Sequence, residues 1–189
     1  MICLAERVKS NCTKYTEDNF YTTTSSLLGE LKEKLASRNE FLTRFADLSY
    51  STDNIGLISY VFDRINNYGL VTRVPIYTDQ KLLRKNHSIE HFFPQTPLEG
   101  VPPLQADSVH NIGNLLAISF KTNSKLGNLS PADKLKKLTN ELAGDVQNLQ
   151  HVQTFINNYG IFAQNWDEQV IAQRAQDLGM EAYDKVWKL

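Results

Sequence analysis

Apolar residues in the first part of the chain recur at the spacing of amphipathic helices. Leu27, Leu28, Leu31 and Leu35 follow a Thr/Ser cluster at 22–26, which supplies candidate N-cap residues. The pattern therefore predicts a helix that begins after this cluster and buries its leucine face.

Two further helices are predicted before residue 70. One runs through Phe41, Phe45 and Leu48, which share one helical face. The next is capped by Asp53 and carries apolar residues at helical spacing up to the stop signal Asn66-Asn67-Tyr68-Gly69. We interpret residues 1–70 as a helical N-terminal part whose apolar faces build the core.

The middle of the chain changes to strand and loop patterns. β-branched and aromatic residues predict strands over Val71–Tyr77 and Ser88–Phe93, and four of the six prolines lie between Pro94 and Pro103, which predicts a stiff, irregular loop. The elements that follow are a turn at His110–Gly113, a strand over Asn114–Phe120 and a short helix over Lys121–Asn128. Strand, loop, strand and helix form the ββα order, and we assign this core to residues 71–137.

The remaining residues, 138–189, predict helices, and one helix begins just before them at the N-cap and first-turn pair Ser130-Pro131. Another runs through Val152 and Phe155, and a final helix begins at Asn165 or Asp167 and continues to Trp187. The predicted fold class is mainly α with a small ββα motif embedded among helices. We expect residues 1–189 to form a single domain.

Composition narrows the class of protein. The chain has 189 residues, 41% hydrophobic and 22% charged, which is typical of a soluble globular domain. Its apolar runs are shorter than the ~20 residues that a membrane span needs. Glu6 and Arg7 occupy the place where a signal peptide has an uncharged core. We therefore predict a cytoplasmic protein with no membrane partner.

Charge and cysteine usage constrain the ligands. The net charge of −1 excludes a chain that coats nucleic acid indiscriminately, but five lysines against the single acid Asp133 lie between Lys121 and Lys137. This run has two interpretations, a solvated helix face and a local phosphate-binding surface. Cys3 and Cys12 do not form a CxxC pair, so a metal ion would need oxygen and nitrogen ligands.

Polar residues at the predicted strand ends suggest phosphodiester chemistry, which needs a base for the attacking water and a cation for the developing charge. Glu90 and His91 offer a metal ligand and a base at adjacent positions, provided that the strand ends or twists there. Asn123 offers an amide oxygen as a second ligand. Asn114 is placed to hydrogen-bond the loop and fix the histidine, and Gly113 permits a tight turn before it.

Three segments carry a resemblance to a known family. Ser88–Gln95 (SIEHFFPQ), Ile112–Ile118 (IGNLLAI) and Asn123–Asn128 (NSKLGN) resemble the HNH (His-Me finger, ββα-metal) nuclease motif in the C-terminal domain of GmrSD-type restriction endonucleases. The helices predicted over residues 54–66 and 166–187 resemble those that flank the motif. The resemblance covers most of residues 50–189 and is sharpest over 88–137.

The resemblance implies a role for each motif residue. His91 corresponds to the general base, Glu90 and Asn123 to the metal ligands, and Asn114 to the residue that organises the loop. The implied cofactor is one divalent ion, Mg²⁺ or alternatively Mn²⁺. By position alone, Lys125 is a candidate catalytic contact to the scissile phosphate.

The resemblance also implies partners. His110 and Lys121 are candidate phosphate contacts to a DNA substrate, by position. The function expected is a metal-dependent DNA endonuclease in restriction of modified or foreign DNA. A ParB-like nucleotide-hydrolysing sensor domain is expected in the same polypeptide or as a separate subunit. The alternative hypothesis is a catalytically silent module that binds DNA or docks within a larger defence complex.

Overall fold

The computed structural model describes residues 37–76, 87–99 and 101–187, and this part of the chain is mainly helical around a two-stranded antiparallel sheet. The predicted fold class, mainly α with a small ββα motif embedded among helices, is confirmed. The helix predicted over the leucines from Leu27 to Leu35 lies outside the described residues. No helix in the described ranges is long and apolar enough to cross a membrane.

The two strands and the helix after them form the centre, and a short helix and a 3₁₀ turn lie between the strands. Further helices precede and follow this centre. They are α1 (Arg38–Ala46), α2 (Ile55–Asn67), β1 (His87–His91), α3 (Ala106–His110), a 3₁₀ turn (Ile112–Asn114), β2 (Leu115–Ser119), α4 (Phe120–Leu126), α5 (Pro131–Thr139), α6 (Ala143–Val146), α7 (Gln150–Tyr159), a 3₁₀ segment (Gly160–Asn165), α8 (Glu168–Glu181) and a π-helical turn (Ala182–Val186).

The two helices predicted between residues 37 and 70 are present, with one error in capping. α2 ends at Asn67, and Gly69 after it has a φ of 71°, the left-handed conformation expected of a helix stop. The N-cap of α2 is Asn54 rather than Asp53. The Ser51 hydroxyl accepts from the Asn54 N–H at 3.2 Å, so the chain turns one residue later than the capping pattern suggested.

The strand predicted over Val71–Tyr77 is wrong for the part that the structure describes, 71–76. The Val74 N–H donates to the Asn67 side chain at 2.6 Å, and the Ile76 N–H donates to the Asp63 carboxylate at 2.9 Å. Pro75 between them has no N–H to donate. Side chains of α2 therefore accept from both of these N–H groups, and residues 71–76 form no strand.

The two central strands pair antiparallel, with Glu90 opposite Leu116 and His91 opposite Leu115. β1 ends at His91, before the predicted end at Phe93, because the Phe93 N–H donates at 2.8 Å to the Asn114 side chain instead of to a strand.

Side-chain caps begin three of the helices after the sheet, α4, α5 and α8. Ser119 accepts from the Thr122 N–H at the start of α4, and Ser130 accepts from the Asp133 N–H at the start of α5, where Pro131 takes the first position as predicted. Asp167 caps α8 in the same way. The final helix is shorter than predicted, since the α-helical geometry stops at Glu181 and a π-helical turn follows.

An aromatic cluster packs beneath the end of β1. The rings of Phe92, Phe155 and Trp166 meet edge to face with centroids 4.7–5.6 Å apart, and all three side chains are buried. The segment that follows the strand therefore packs against α7 and against the residues just before α8.

The buried His151 on α7 makes stability depend on pH. Burial, with a smaller contribution from the Arg174 charge, lowers the pKa of His151 from 6.5 to about 3. The unfolded chain binds a proton near pH 6.5, whereas the folded chain does not until about pH 3. The contribution of His151 to the free energy of unfolding is therefore fully present above pH 6.5. It falls as the pH is lowered, by ~2 kcal/mol at pH 5.

Urea unfolding at pH 7.5 and pH 5.0 tests this prediction. Between these two pH values, we expect the free energy of unfolding to fall by ~2 kcal/mol less in His151→Gln than in the wild type. The variant keeps a residual loss because the pKa of His91 is also lowered, to about 4. Equal losses in the two proteins would exclude His151 as the titrating group.

Candidate active site

The end of β1 brings two adjacent ionisable side chains into different surroundings. Glu90 meets Lys134 of α5, whereas His91 meets Tyr50, Gln95 and His110. Successive strand residues point to opposite faces, which separates the two side chains although they are neighbours in sequence. β1 pairs with β2 up to and including His91, opposite Leu115, so the two side chains do not stand together at the strand end.

The His91 imidazole lies in a polar and aromatic cluster. Its Nε2 lies 3.2 Å from His110 Nδ1, and the Gln95 amide nitrogen lies 2.9 Å from its Nδ1. The Tyr50 ring meets it edge to face, with centroids 4.9 Å apart. Burial, followed by the charges of His110 and Lys134, lowers the pKa of His91 to about 4. The imidazole is therefore uncharged at neutral pH and able to accept a proton.

His110 is held beside His91 by the backbone as well as by its ring. It ends α3, and its carbonyl accepts from the Tyr50 N–H at 2.8 Å. Its ring stacks on Tyr50 with centroids 6.2 Å apart. A small pocket of about 160 Å³ adjoins His110, and Phe93, Pro94, Gln95, Pro97 and Pro103 are among the other residues that line it. The proline-rich loop thus forms one wall of the candidate site.

Glu90 and Lys134 form a buried ion pair. Lys134 Nζ lies 2.5 Å from Glu90 Oε1, and the side chains are 1% and 5% exposed. The same nitrogen donates to the His91 carbonyl at 2.7 Å. Burial raises the pKa of Glu90 and lowers that of Lys134, and the attraction between the partners opposes both shifts. The pair is retained because each charge compensates the other.

Asn114 organises the loop after β1. Its amide nitrogen donates to the carbonyls of Phe93 at 2.9 Å and Val109 at 2.8 Å, and its oxygen accepts from the Phe93 N–H at 2.8 Å and Trp166 Nε1 at 3.0 Å. The residue is fully buried. One side chain thus joins the end of β1, the end of α3 and the aromatic cluster, and the loop that carries Gln95 is anchored at its first residues.

Arg174 of α8 holds the chain on both sides of Asn114. Its guanidinium donates to the carbonyls of Gly113 at 2.6 Å and Leu115 at 3.0 Å, and it lies over the Phe155 ring at 4.6 Å. Burial lowers the pKa of Arg174 to about 9, so it stays protonated at neutral pH. The closing helix is therefore part of the scaffold that fixes the candidate site.

Gly113 is required here for a reason that the sequence did not reveal. Its φ is not positive, so the tight turn expected of it does not need the left-handed conformation. A Cβ at this position would overlap the Ile171 carbonyl oxygen and lie 3.1 Å from the Ala175 N. The backbone of α8 approaches the turn so closely that only glycine fits.

The other predicted site residues lie on α4. The Asn123 amide nitrogen donates to Ser88 Oγ at 2.7 Å and to the Ile89 carbonyl at 3.2 Å, which places Asn123 against the residues just before Glu90. Lys125 pairs with Asp145 at 3.6 Å rather than with the His91 cluster, and Lys121 is exposed.

An ion held by Glu90 and Asn123 would have two protein ligands, of which Glu90 is only 4% exposed. Asn123 uses its amide nitrogen within the protein, and its oxygen is the group suited to a cation. Glu90 adds a carboxylate, of which Oε1 accepts from Lys134. The described residues contain no cluster of three or more His, Cys, Asp and Glu side chains that could enclose an ion. Mg²⁺ commonly takes one or two oxygen ligands from a protein, whereas an enclosed zinc ion takes four ligands.

Three residues of the site were missed in the sequence. Lys134 lies on the buried stripe of α5 with Pro131 and Leu138, and a lysine at such a position was the available signal. Gln95 belongs to the quoted motif but received no role. Nothing in the sequence near Tyr50 indicated that it packs against His91, since 41 residues separate them.

Comparisons with known proteins give one match. The family model described as GmrSD restriction endonucleases, C-terminal domain, matches residues 35–180. No curated protein and no solved structure matches the chain. The matched range includes the strand pair, α4, α5 and nearly all of α8, and therefore every element of the candidate site.

Proposed function

This chain belongs to the family of GmrSD restriction endonuclease C-terminal domains, and from that premise we propose that it is a metal-dependent DNA endonuclease of the HNH type with His91 as its general base. The observation that carries the proposal is the uncharged His91 imidazole at the end of β1, in contact with His110 and Gln95. An uncharged imidazole has a nitrogen lone pair with which to accept the proton of an attacking water.

His91 and His110 together offer a path for the proton. Once a proton is on His91 Nε2, it lies within hydrogen-bond distance of His110 Nδ1. His110 is partly exposed, so it connects His91 with solvent and with a bound substrate. We assign His110 to a phosphate or leaving-group contact. Gln95 restricts the orientation of the imidazole from the other side, and Asn114 fixes the loop that carries Gln95.

Glu90 and Asn123 would hold the divalent ion, Mg²⁺ or Mn²⁺, in this proposal. When bound, such an ion supplies positive charge for the phosphoryl oxygens and the leaving group. Lys125 and Lys121 on α4 would contact the DNA backbone. The half-exposed pair of Lys125 with Asp145 is worth no more than ~1 kcal/mol, so a phosphate can replace Asp145 as the partner of Lys125.

The biological part of the proposal rests on the family resemblance. It comprises restriction of modified or foreign DNA in the cytoplasm and a ParB-like nucleotide-hydrolysing sensor domain in cis or in trans. The alternative, a silent module that binds DNA or docks within a defence complex, is favoured by one observation. Glu90, the proposed metal ligand, already has a buried cationic partner in Lys134.

Parallel measurements of binding and cleavage distinguish the two functions. The protein is incubated with a labelled DNA duplex and with Mg²⁺, Mn²⁺ or EDTA, and bound and cleaved DNA are quantified. We expect cleavage with either ion and none with EDTA. A protein that binds the duplex but leaves it intact with both ions would favour the silent module.

A further inference from the structure

Lys134 contacts both residues on which the proposed chemistry depends. Its single ammonium group donates to the Glu90 carboxylate at 2.5 Å and to the His91 carbonyl at 2.7 Å. These are the proposed metal ligand and the backbone of the proposed base. The lysine reaches them from α5, whose start is fixed by the Ser130 cap and Pro131.

The position is an unfavourable one for a lysine on grounds of stability alone. Lys134 lies in the first turn of α5, where the helix dipole disfavours a cation, and its side chain is 1% exposed. Well-packed apolar residues commonly replace a buried ion pair without loss of stability. Pro131 and Leu138, on the same face of α5, are of the apolar type that such a stripe favours.

We propose that Lys134 is a positioning residue of this site, whose ammonium group fixes the Glu90 carboxylate relative to the His91 backbone. The inference rests on the proposed function and deepens it. The ammonium hydrogen-bonds to the end of β1 at two points, one on a side chain and one on the main chain. Displacement of reacting groups by about 1 Å costs on the order of 10²-fold in rate. Loss of the two Lys134 hydrogen bonds therefore reduces turnover even in a folded protein.

Lys134→Met tests the inference, because methionine keeps the apolar stem and removes the charge and both hydrogen bonds. We expect kcat for cleavage of a DNA duplex to fall about 10²-fold at a temperature where the variant is folded, while KM changes less than about threefold. Lys185→Met is the control, since Lys185 is a half-exposed lysine of the π-helical turn and lies outside the lysine run at 121–137. It should keep the wild-type kcat.

A readout that needs neither activity nor metal accompanies the kinetics. Amide hydrogen exchange without divalent ions should accelerate at Phe92, whose N–H bonds to the Asn114 carbonyl, and stay unchanged in the middle of α8. Unchanged exchange at Phe92, or a folded Lys134→Met variant with wild-type kcat, overturns the inference. Failure of the proposed function gives a different result, because the wild type itself would then not cleave DNA. The exchange rate at Phe92 would still show whether Lys134 holds the end of β1.

Lys134→Arg covers the case in which the methionine variant does not fold. Arginine keeps a cation for Glu90, so the protein should fold, but the planar guanidinium cannot take the position of an ammonium group. We expect kcat to fall about tenfold or more with KM nearly unchanged. Wild-type kcat in this variant would mean that Lys134 only compensates the Glu90 charge, and the inference would be wrong.

Discussion

Alanine in place of His91 is expected to lower the rate of DNA cleavage by about 10²- to 10⁴-fold, the range that general base catalysis contributes. The imidazole is the uncharged group at the strand end, and its ring nitrogens lie within 3.2 Å of His110 and Gln95. Gln95 cannot replace it, because an amide carries no basic nitrogen. DNA affinity should be unchanged, since the lysines of α4 are unaffected.

His87→Ala is the matched control for this substitution. His87 begins the same strand and is four residues away, so it lies on the same face, but it pairs opposite Ser119 at the far end of the sheet. We expect cleavage by this variant to stay within about threefold of the wild type. An equal loss in both variants would indicate that damage to β1, not removal of the base, accounts for the effect.

Replacing Gly113 by alanine is expected to destabilise the fold by ~3 kcal/mol or more, because the new methyl group overlaps backbone atoms that cannot move alone. It would overlap the Ile171 carbonyl oxygen and lie 2.9 Å from the carbonyl carbon. Relief requires α8 to shift, which pulls Arg174 from the carbonyls of Gly113 and Leu115. We therefore expect loss of activity together with loss of stability.

Gly144→Ala is the control, since a Cβ on the exposed Gly144 of α6 would meet nothing within 4 Å. Alanine is the better helix former, so this variant should be unchanged or up to ~1 kcal/mol more stable. Thermal or urea unfolding of the two variants measures the difference. A Gly113→Ala protein as stable as the wild type would show that α8 does not constrain the turn.

Hydrophobic periodicity predicted most of the architecture because local spacing determines it. The apolar face of α2, the buried positions of β2 and the Ser130-Pro131 start of α5 were all readable from residues close together in sequence. The segment 71–76 was not readable, since its β-branched residues suggested a strand while the donors of Val74 and Ile76 are taken by α2 side chains.

The chemistry of the site was predictable only in part. Of the predicted residues, the fold places Asn114 beside the end of β1 that carries His91, whereas Asn123 contacts Ser88 and Ile89 nearer the start of that strand. Lys134 and Arg174 were not assigned roles, because both act through tertiary contacts with strand-end carbonyls. A basic side chain on a buried face is the sequence signal for such contacts, but it does not specify which carbonyl is bound.

Cleavage of supercoiled plasmid by the wild type and by His91→Ala, prepared identically and assayed with Mn²⁺, tests the central claim most directly. Calorimetric titration first establishes that both proteins bind the ion. The account predicts nicked or linear plasmid with the wild type, none with EDTA, and a rate at least about 10²-fold lower with His91→Ala. Equal cleavage by both proteins, or none by a wild type that binds both Mn²⁺ and DNA, would contradict it.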